Sequence, residues 1–199
     1  SGLETSSVMS FRPVNVVPMR RIRPKYTAPP DPNRRNIPKA GEMPELPEVE
    51  HIRRTLERRI LGLTVHRTRI ERRDVIKGGE RRGMVSSQLL KGASIRRLLR
   101  HGKRLAMEAD DGRILEFGLG MTGQFLIEEF GSKPTTSGHR HVSWCLGRPD
   151  GESMIRLVWR DPRRFGGLYP YPSAQMLRND GWARLGPDAL DIDSRTLHG

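Results

Sequence analysis

Lys103-Arg104-Leu105-Ala106-Met107-Glu108-Ala109-Asp110-Asp111-Gly112-Arg113-Ile114-Leu115-Glu116-Phe117-Gly118-Leu119 holds two apolar-rich runs, 103–108 and 113–119, parted by Asp110-Asp111-Gly112. Two short runs on either side of an acidic pair and a glycine read as strands joined by a turn. The same texture recurs outward in both directions, near 63–70, 93–99, 122–127, 141–146, 153–159 and 167–171. Pro149-Asp150-Gly151 and Pro162-Arg163-Arg164-Phe165-Gly166 punctuate it. So many short strands at this spacing predict a mainly β fold with flanking helices, an antiparallel β-sandwich with an N-terminal helix. A short helix fits 84–91, and no internal repeat recurs at a fixed period.

The N-terminal helix is read from Pro47-Glu48-Val49-Glu50-His51-Ile52-Arg53-Arg54-Thr55-Leu56-Glu57-Arg58-Arg59-Ile60. Apolar residues at 49, 52, 56 and 60 step by three or four, with acids at the start and arginines at the end, as the helix dipole prefers. Gly62 stops it. Ahead of it, residues 1–42 hold 7 of the 15 prolines and 8 Lys+Arg against 3 Asp+Glu. That composition cannot bury enough apolar surface to offset the entropy of ordering, so 1–43 is expected to be a disordered basic extension. The sandwich domain is expected over 44–172. Residues 173–199 turn helical near 174–179 and look like the beginning of a further domain, cut short.

Across its 199 residues the chain carries 36 Lys+Arg against 23 Asp+Glu, a net charge of +13, and only six of the cations are lysine. Arginine's planar fork suits phosphate, so an anionic polymer is the first partner to consider. No apolar run approaches the roughly 18 residues of a membrane span. A soluble, cytoplasmic protein is therefore expected. Cys145 is the single cysteine. It excludes an internal disulfide and any multi-cysteine zinc site within the chain.

Four segments carry chemistry. Met43-Pro44-Glu45-Leu46-Pro47-Glu48-Val49-Glu50 is only partly explained by a helix start, which accounts for Pro47 and Glu48. If Met43 were the true start and were removed, Pro44 would carry a secondary amine. Such an amine has a pKa of about 8 and is a nucleophile at neutral pH. Attack on an aldehydic carbon would give an iminium, an electron sink for elimination, and Glu45 beside it could shuttle protons. Arg100-His101-Gly102-Lys103-Arg104-Leu105 puts a lysine at a strand start, where an edge charge also guards against aggregation. Leu119-Gly120-Met121-Thr122-Gly123 reads as a hairpin with unusual dihedrals at both glycines and Met121 in the core. Asp161-Pro162-Arg163-Arg164-Phe165-Gly166 is a basic tight turn with an exposed aromatic. In Ser137-Gly138-His139-Arg140-His141-Val142 two histidines at i, i+2 share a strand face, but no third ligand lies at metal-site spacing, so no metal is expected.

In this order, over residues 44–199, the motifs resemble those of formamidopyrimidine-DNA glycosylase, a bacterial base-excision family whose mature chains begin with proline. The related endonuclease VIII usually has glycine where Leu46 stands, so the resemblance favours the oxidised-purine branch. It implies a bifunctional glycosylase and β,δ-lyase removing 8-oxoguanine and formamidopyrimidines through a Schiff base at Pro44, with Glu45 moving protons. Lys103 would touch phosphate and assist proton transfer. Met121 would fill the space of the flipped nucleotide, His139 contact the DNA backbone, Arg163 bond the orphaned cytosine, and Phe165 wedge between bases. His141 would be structural. The implied partner is double-stranded DNA with an oxidised purine or abasic site, and the implied state a monomer. No cofactor is expected in this chain. The family's four-cysteine zinc finger and helix-two-turn-helix domain would lie beyond it. The family usually has histidine where Gly118 stands. A rival expectation is a non-catalytic nucleic-acid-binding fragment, because in the 199-residue chain Met43 acylates Pro44. On that ground, and without the second domain, the chain alone is expected to be inactive.

Overall fold

The computed structural model describes residues 44–78, 89–134, 138–151 and 154–190. The expected extension 1–43 lies outside them, as do residues 84–88 of the helix expected over 84–91; residues 89–92 form a turn. Helix α1 spans Leu46–Ile60. Val49, Leu56 and Ile60 are buried and Ile52 packs against the same core. Burial of each such side chain contributes about 1.5–3 kcal/mol. Glu48 in the first turn and Arg58 and Arg59 in the last oppose the helix dipole's partial charges, which stabilises both ends. Past the helix, Gly62 takes the left-handed conformation, φ +76°.

Eight strands follow among the described residues: β1 Thr64–Ile70, β2 Ile95–His101, β3 Arg104–Ala109, β4 Ile114–Gly118, β5 Gln124–Glu129, β6 Arg140–Gly147, β7 Ile155–Arg160 and β8 Gly167–Tyr171. They build two four-stranded sheets with orders β1-β6-β7-β5 and β2-β3-β4-β8. Every pairing between these strands is antiparallel, and a single parallel bridge joins Ile76 to Leu168. Phe117 on β4 meets Phe125 on β5 at 4.9 Å, Trp144 on β6 at 5.9 Å and Trp159 on β7 at 6.4 Å, all edge to face. These contacts join the two sheets, and aromatic edges against faces add to the area they bury.

Strands β3 and β4 are buried on both faces. Their inward residues Leu105, Met107, Leu115 and Phe117 belong to the inter-sheet core. Their outward Ala106 and Ile114 pack with Tyr171 and Leu177 in a second cluster, joined by Leu99, Tyr169, Met176 and Trp182. The cover comes from α2 (Ala174–Met176) and the π-helical turn Leu177–Trp182. Ser173 caps α2, its hydroxyl accepting the Met176 N–H at 3.3 Å.

Two local expectations are corrected. Leu119–Gly123 is no hairpin, since β4 and β5 belong to different sheets; the segment is a crossover. Gly120 has φ +56° as expected, but Gly123 is absent from the positive-φ residues. Gly123 is required instead by space, because a Cβ there would lie 2.3 Å from the Leu119 carbonyl oxygen. Nor do the two histidines share a strand face. His139 precedes β6 with φ +60° and is exposed, whereas His141 is 1% exposed.

Candidate active site

Pro44 and Glu45 lead directly into α1, with Glu45 at the N-cap in extended conformation and its carbonyl accepting the Val49 N–H at 3.1 Å. The apolar face of α1 is packed into the core, and Arg53 also reaches the Leu98 carbonyl on β2 at 3.4 Å. The helix therefore sets its own N-terminus beside the turn between β2 and β3. That turn carries Lys103, whose Nζ lies 2.6 Å from Glu45 Oε2. Both side chains remain about half exposed, at 46% and 59%. Pro44 is buried.

Pro44 and Lys103 line a cleft of about 190 Å³ shared with Arg104, Gly118, Gly120 and Phe165. Gly118 stands in register between Arg104 on β3 and Gly167 on β8, so two glycines leave this row of the sheet bare. Arg104 fills part of the space. Its guanidinium lies 5.4 Å above the Tyr169 ring and 3.7 Å from Glu116. An added Cβ on Gly118 would come within 2.9 Å of it. The room left by Gly118 is thus occupied by an arginine from the neighbouring strand.

Across the cleft, the 119–123 crossover and the 161–166 loop are held together by one carboxylate. Asp161 is fully buried. The Thr122 hydroxyl donates to its Oδ1, and the Gly166 N–H to its Oδ2 at 2.7 Å. Thr122 Oγ1 in turn accepts the Arg163 N–H at 3.1 Å. The Asp161 carbonyl accepts from His141 Nε2 at 2.8 Å and from the Arg164 N–H at 3.2 Å. This explains the burial of His141. Residues Arg163 and Phe165 stay outside: the guanidinium rides 4.9 Å above the phenyl ring, and Phe165 is 61% exposed. Met121 is half-buried at the crossover, and His139 is exposed, its carbonyl accepting the Asp161 N–H at 3.2 Å.

The fold therefore brings Pro44, Glu45 and Lys103 together, and places Phe165 in the same cleft wall. Arg163 and Met121 sit on the adjoining loops. His139 is tied to that loop pair through its backbone carbonyl. Residues the sequence motifs did not single out are Asp161, Thr122, Arg104, Tyr169, Arg100 and Asp188. Asp161, Thr122, Arg100 and Arg104 lie within the motif segments and had a signal there, whereas Tyr169 and Asp188 lie outside them. Among the described residues no group of three or more His, Cys, Asp or Glu could hold a metal ion. With a single cysteine in the chain, its residues do not fit a four-cysteine zinc site, and no step is derived through one. No helix among the described residues is long and apolar enough to cross a membrane.

Residues 43–168 match the family described as formamidopyrimidine-DNA glycosylase N-terminal domain. A formamidopyrimidine-DNA glycosylase of Chelativorans sp. (strain BNC1) is 36% identical over 170 residues, covering 78% of this chain and 55% of the relative. Among solved structures, the Lactococcus lactis Fpg in complex with DNA containing an abasic site superposes with TM-score 0.60 at 25% identity, over 70% of this chain and 48% of that one. MutM in complex with DNA containing carbocyclic 8-oxo-G gives 0.58 at 27% identity, over 68% and 47%. The chain spans about half the length of the curated relatives it matches.

Proposed function

The chain belongs to the formamidopyrimidine-DNA glycosylase family, and from that premise we propose that it acts in base-excision repair as a glycosylase and β,δ-lyase on oxidised purines, with Pro44 as nucleophile. One observation carries the reading. Pro44 lines the cleft at whose mouth Glu45 and Lys103 form a 2.6 Å ion pair. An amine there has a proton carrier and a cation within reach of the same sugar.

With Pro44 terminal, its nitrogen lone pair bonds to C1′ as the bond from C1′ to the base breaks, and the base leaves with a proton. Opening of the sugar ring protonates the ring oxygen and leaves an iminium at C1′. Loss of a proton from C2′ sends its electron pair into the iminium, and the return of that pair expels the 3′ phosphate with its oxygen; loss of a proton from C4′ then does the same and expels the 5′ phosphate. Water then releases the proline. Glu45 gives and takes the protons, and Lys103 neutralises the nearby phosphate. The base must first leave the stack. Arg163 would meet the orphaned base with its five donors, while Phe165 and Met121 occupy the gap.

A second reading rests on a different observation. In the 199-residue sequence the Pro44 nitrogen is an amide to Met43, which leaves a binding module without a nucleophile. The two separate on abasic DNA, whose aldehyde needs no base flipping. A protease site placed ahead of Pro44 exposes the amine. Borohydride should then trap the protein on the DNA after cleavage and not before. Equal trapping in both forms would assign the chemistry to another amine, and none in either form would favour the binding module.

A further inference from the structure

The turn that carries Lys103 is clamped by a residue 85 positions further along the chain. Asp188, only 5% exposed, puts one carboxylate oxygen on two partners: the Arg100 guanidinium at 2.5 Å and the Gly102 N–H at 2.8 Å. Its other oxygen accepts the Leu190 N–H at 3.0 Å. Arg100 is itself 7% exposed at the side chain. It donates to Glu50 on α1 at 3.1 Å and to the Gly102 carbonyl at 3.2 Å. A second strap lies alongside, where His101 Nε2 donates to the Gly186 carbonyl at 2.9 Å and its ring stacks on Trp182 at 5.4 Å.

We infer that Asp188 is a positioning residue for the reaction at Pro44: through Arg100 and the Gly102 amide it fixes the turn bearing Lys103 to the helix bearing Pro44 and Glu45. This rests on the function proposed above. Gly102 has φ +54°, a conformation a glycine leaves easily, so the turn needs outside restraint to hold Lys103 in one place. Arg100 supplies it on one side by bonding Glu50, two turns of backbone from Pro44, and Asp188 completes it on the other. Burial pushes the Asp188 carboxyl up, but the hydrogen bonds from Arg100, Leu190 N–H and Gly102 N–H outweigh it and hold the group below its ordinary value. It is thus an anion across the whole range in which an amine nucleophile works. The clamp also makes the segment that follows the sandwich, 182–190, part of the catalytic framework.

The test is single-turnover borohydride trapping on abasic DNA at saturating concentration, with the chain cleaved to expose Pro44. A partly unfolded variant loses amplitude, because fewer molecules react. A variant with a misplaced lysine keeps amplitude and loses rate constant. Asp188→Asn keeps the size and removes the charge, and should slow trapping about tenfold or more at full amplitude, since a displacement of about 1 Å can cost a hundredfold. Arg100→Lys keeps the charge opposite Glu50 but loses the fork, and should slow trapping in the same way; it carries the test if Asp188→Asn does not fold. An unchanged rate constant in the folded variants, or a loss of amplitude alone, overturns the inference. Failure of the unsubstituted cleaved chain to trap would instead overturn the functional reading, and this inference with it.

Discussion

The turn bearing Lys103 and the loop bearing Arg163 and Phe165 face the same cleft, and each is held by a buried aspartate accepting backbone N–H groups. They differ in where that aspartate comes from. Asp161 opens the loop it organises and bonds Gly166 five residues on. Asp188 reaches back 86 residues to the Gly102 amide. The first arrangement organises its own loop and also takes the Thr122 hydroxyl of the crossover, 39 residues earlier in the chain. The second closes only when the segment after β8 has folded over the sheet. In both, the side chains that would touch DNA stay exposed while a buried carboxylate fixes the backbone that carries them. Exposed polar side chains are cheap to keep in water, whereas a loop's N–H groups need partners once buried. Buried carboxylates thus fix the backbone on both sides of the cleft, while Lys103, Arg163 and Phe165 stay at the surface.

If that comparison is right, the largest effect belongs to Asp161. Asp161→Ala strands the Thr122 hydroxyl and the Gly166 N–H, and each such loss of a charged acceptor costs about 1.5–3 kcal/mol. Urea unfolding should show a fall of roughly 3 kcal/mol or more, and a fall within 0.5 kcal/mol would break the comparison at its stronger side. Next comes the contact between the two loops at Gly120, where a Cβ would meet Gly166 N and the Phe165 carbonyl carbon at 2.8 Å, at φ +56°. Gly120→Ala should cost about 1–3 kcal/mol. Gly118→Ala should stay within about 0.5 kcal/mol, because the atom it meets is the end of the flexible Arg104 side chain. Similar thermal shifts for the two would contradict the tight packing assigned to Gly120.

Arg163→Ala should leave stability within about 0.5 kcal/mol. It should cost about 1–3 kcal/mol of discrimination for cytosine opposite an abasic site, read as relative affinities for the four opposing bases. Uniform weakening across the four would reduce Arg163 to a phosphate contact. The smallest effect is acid sensitivity at the Lys103 side. Hydrogen bonding from Arg53 is the chief cause holding the Glu50 carboxyl at about 2, below its ordinary 4.5; burial pushes the other way, and Arg54 and Arg100 add to the lowering. A carboxylate depressed in the folded state stabilises fully above its unfolded value, and that part is lost as pH falls from about 4.5 towards 2. Glu50→Gln should flatten stability across that window, and an unaltered slope would remove Glu50 from the account.

Much of the architecture was legible because its signals are local. The period of α1 places 49, 56 and 60 in the core, and glycine turns mark most strands to within two or three residues. Strand β5 begins at Gln124 rather than near 122 because Thr122 is occupied by Asp161 and Gly123 by the Leu119 carbonyl. The sheet change between β4 and β5 was not legible, since a short glycine-rich link looks the same in a hairpin and in a crossover. The candidate site was legible where its residues sit in contiguous motifs, as at Pro44-Glu45 and 161–166. Asp188 lies in unremarkable surroundings, and Arg100, although it opens the segment that carries Lys103, gains its meaning only when the chain brings the two together. Arg104 is similar, because its place over Tyr169 depends on the bare row made by Gly118 and Gly167.

The central claim is that the reacting group is the nitrogen of Pro44, and the direct measurement is the mass of the peptide that carries the reduced adduct. After cleavage ahead of Pro44, borohydride trapping on abasic DNA and digestion of both polymers, the remnant sugar should be found on the peptide beginning Pro44-Glu45-Leu46. Fragmentation should place the added mass on its first residue. Adduct on the peptide containing Lys103, or spread among several lysines with Pro44 unmodified, would contradict the claim.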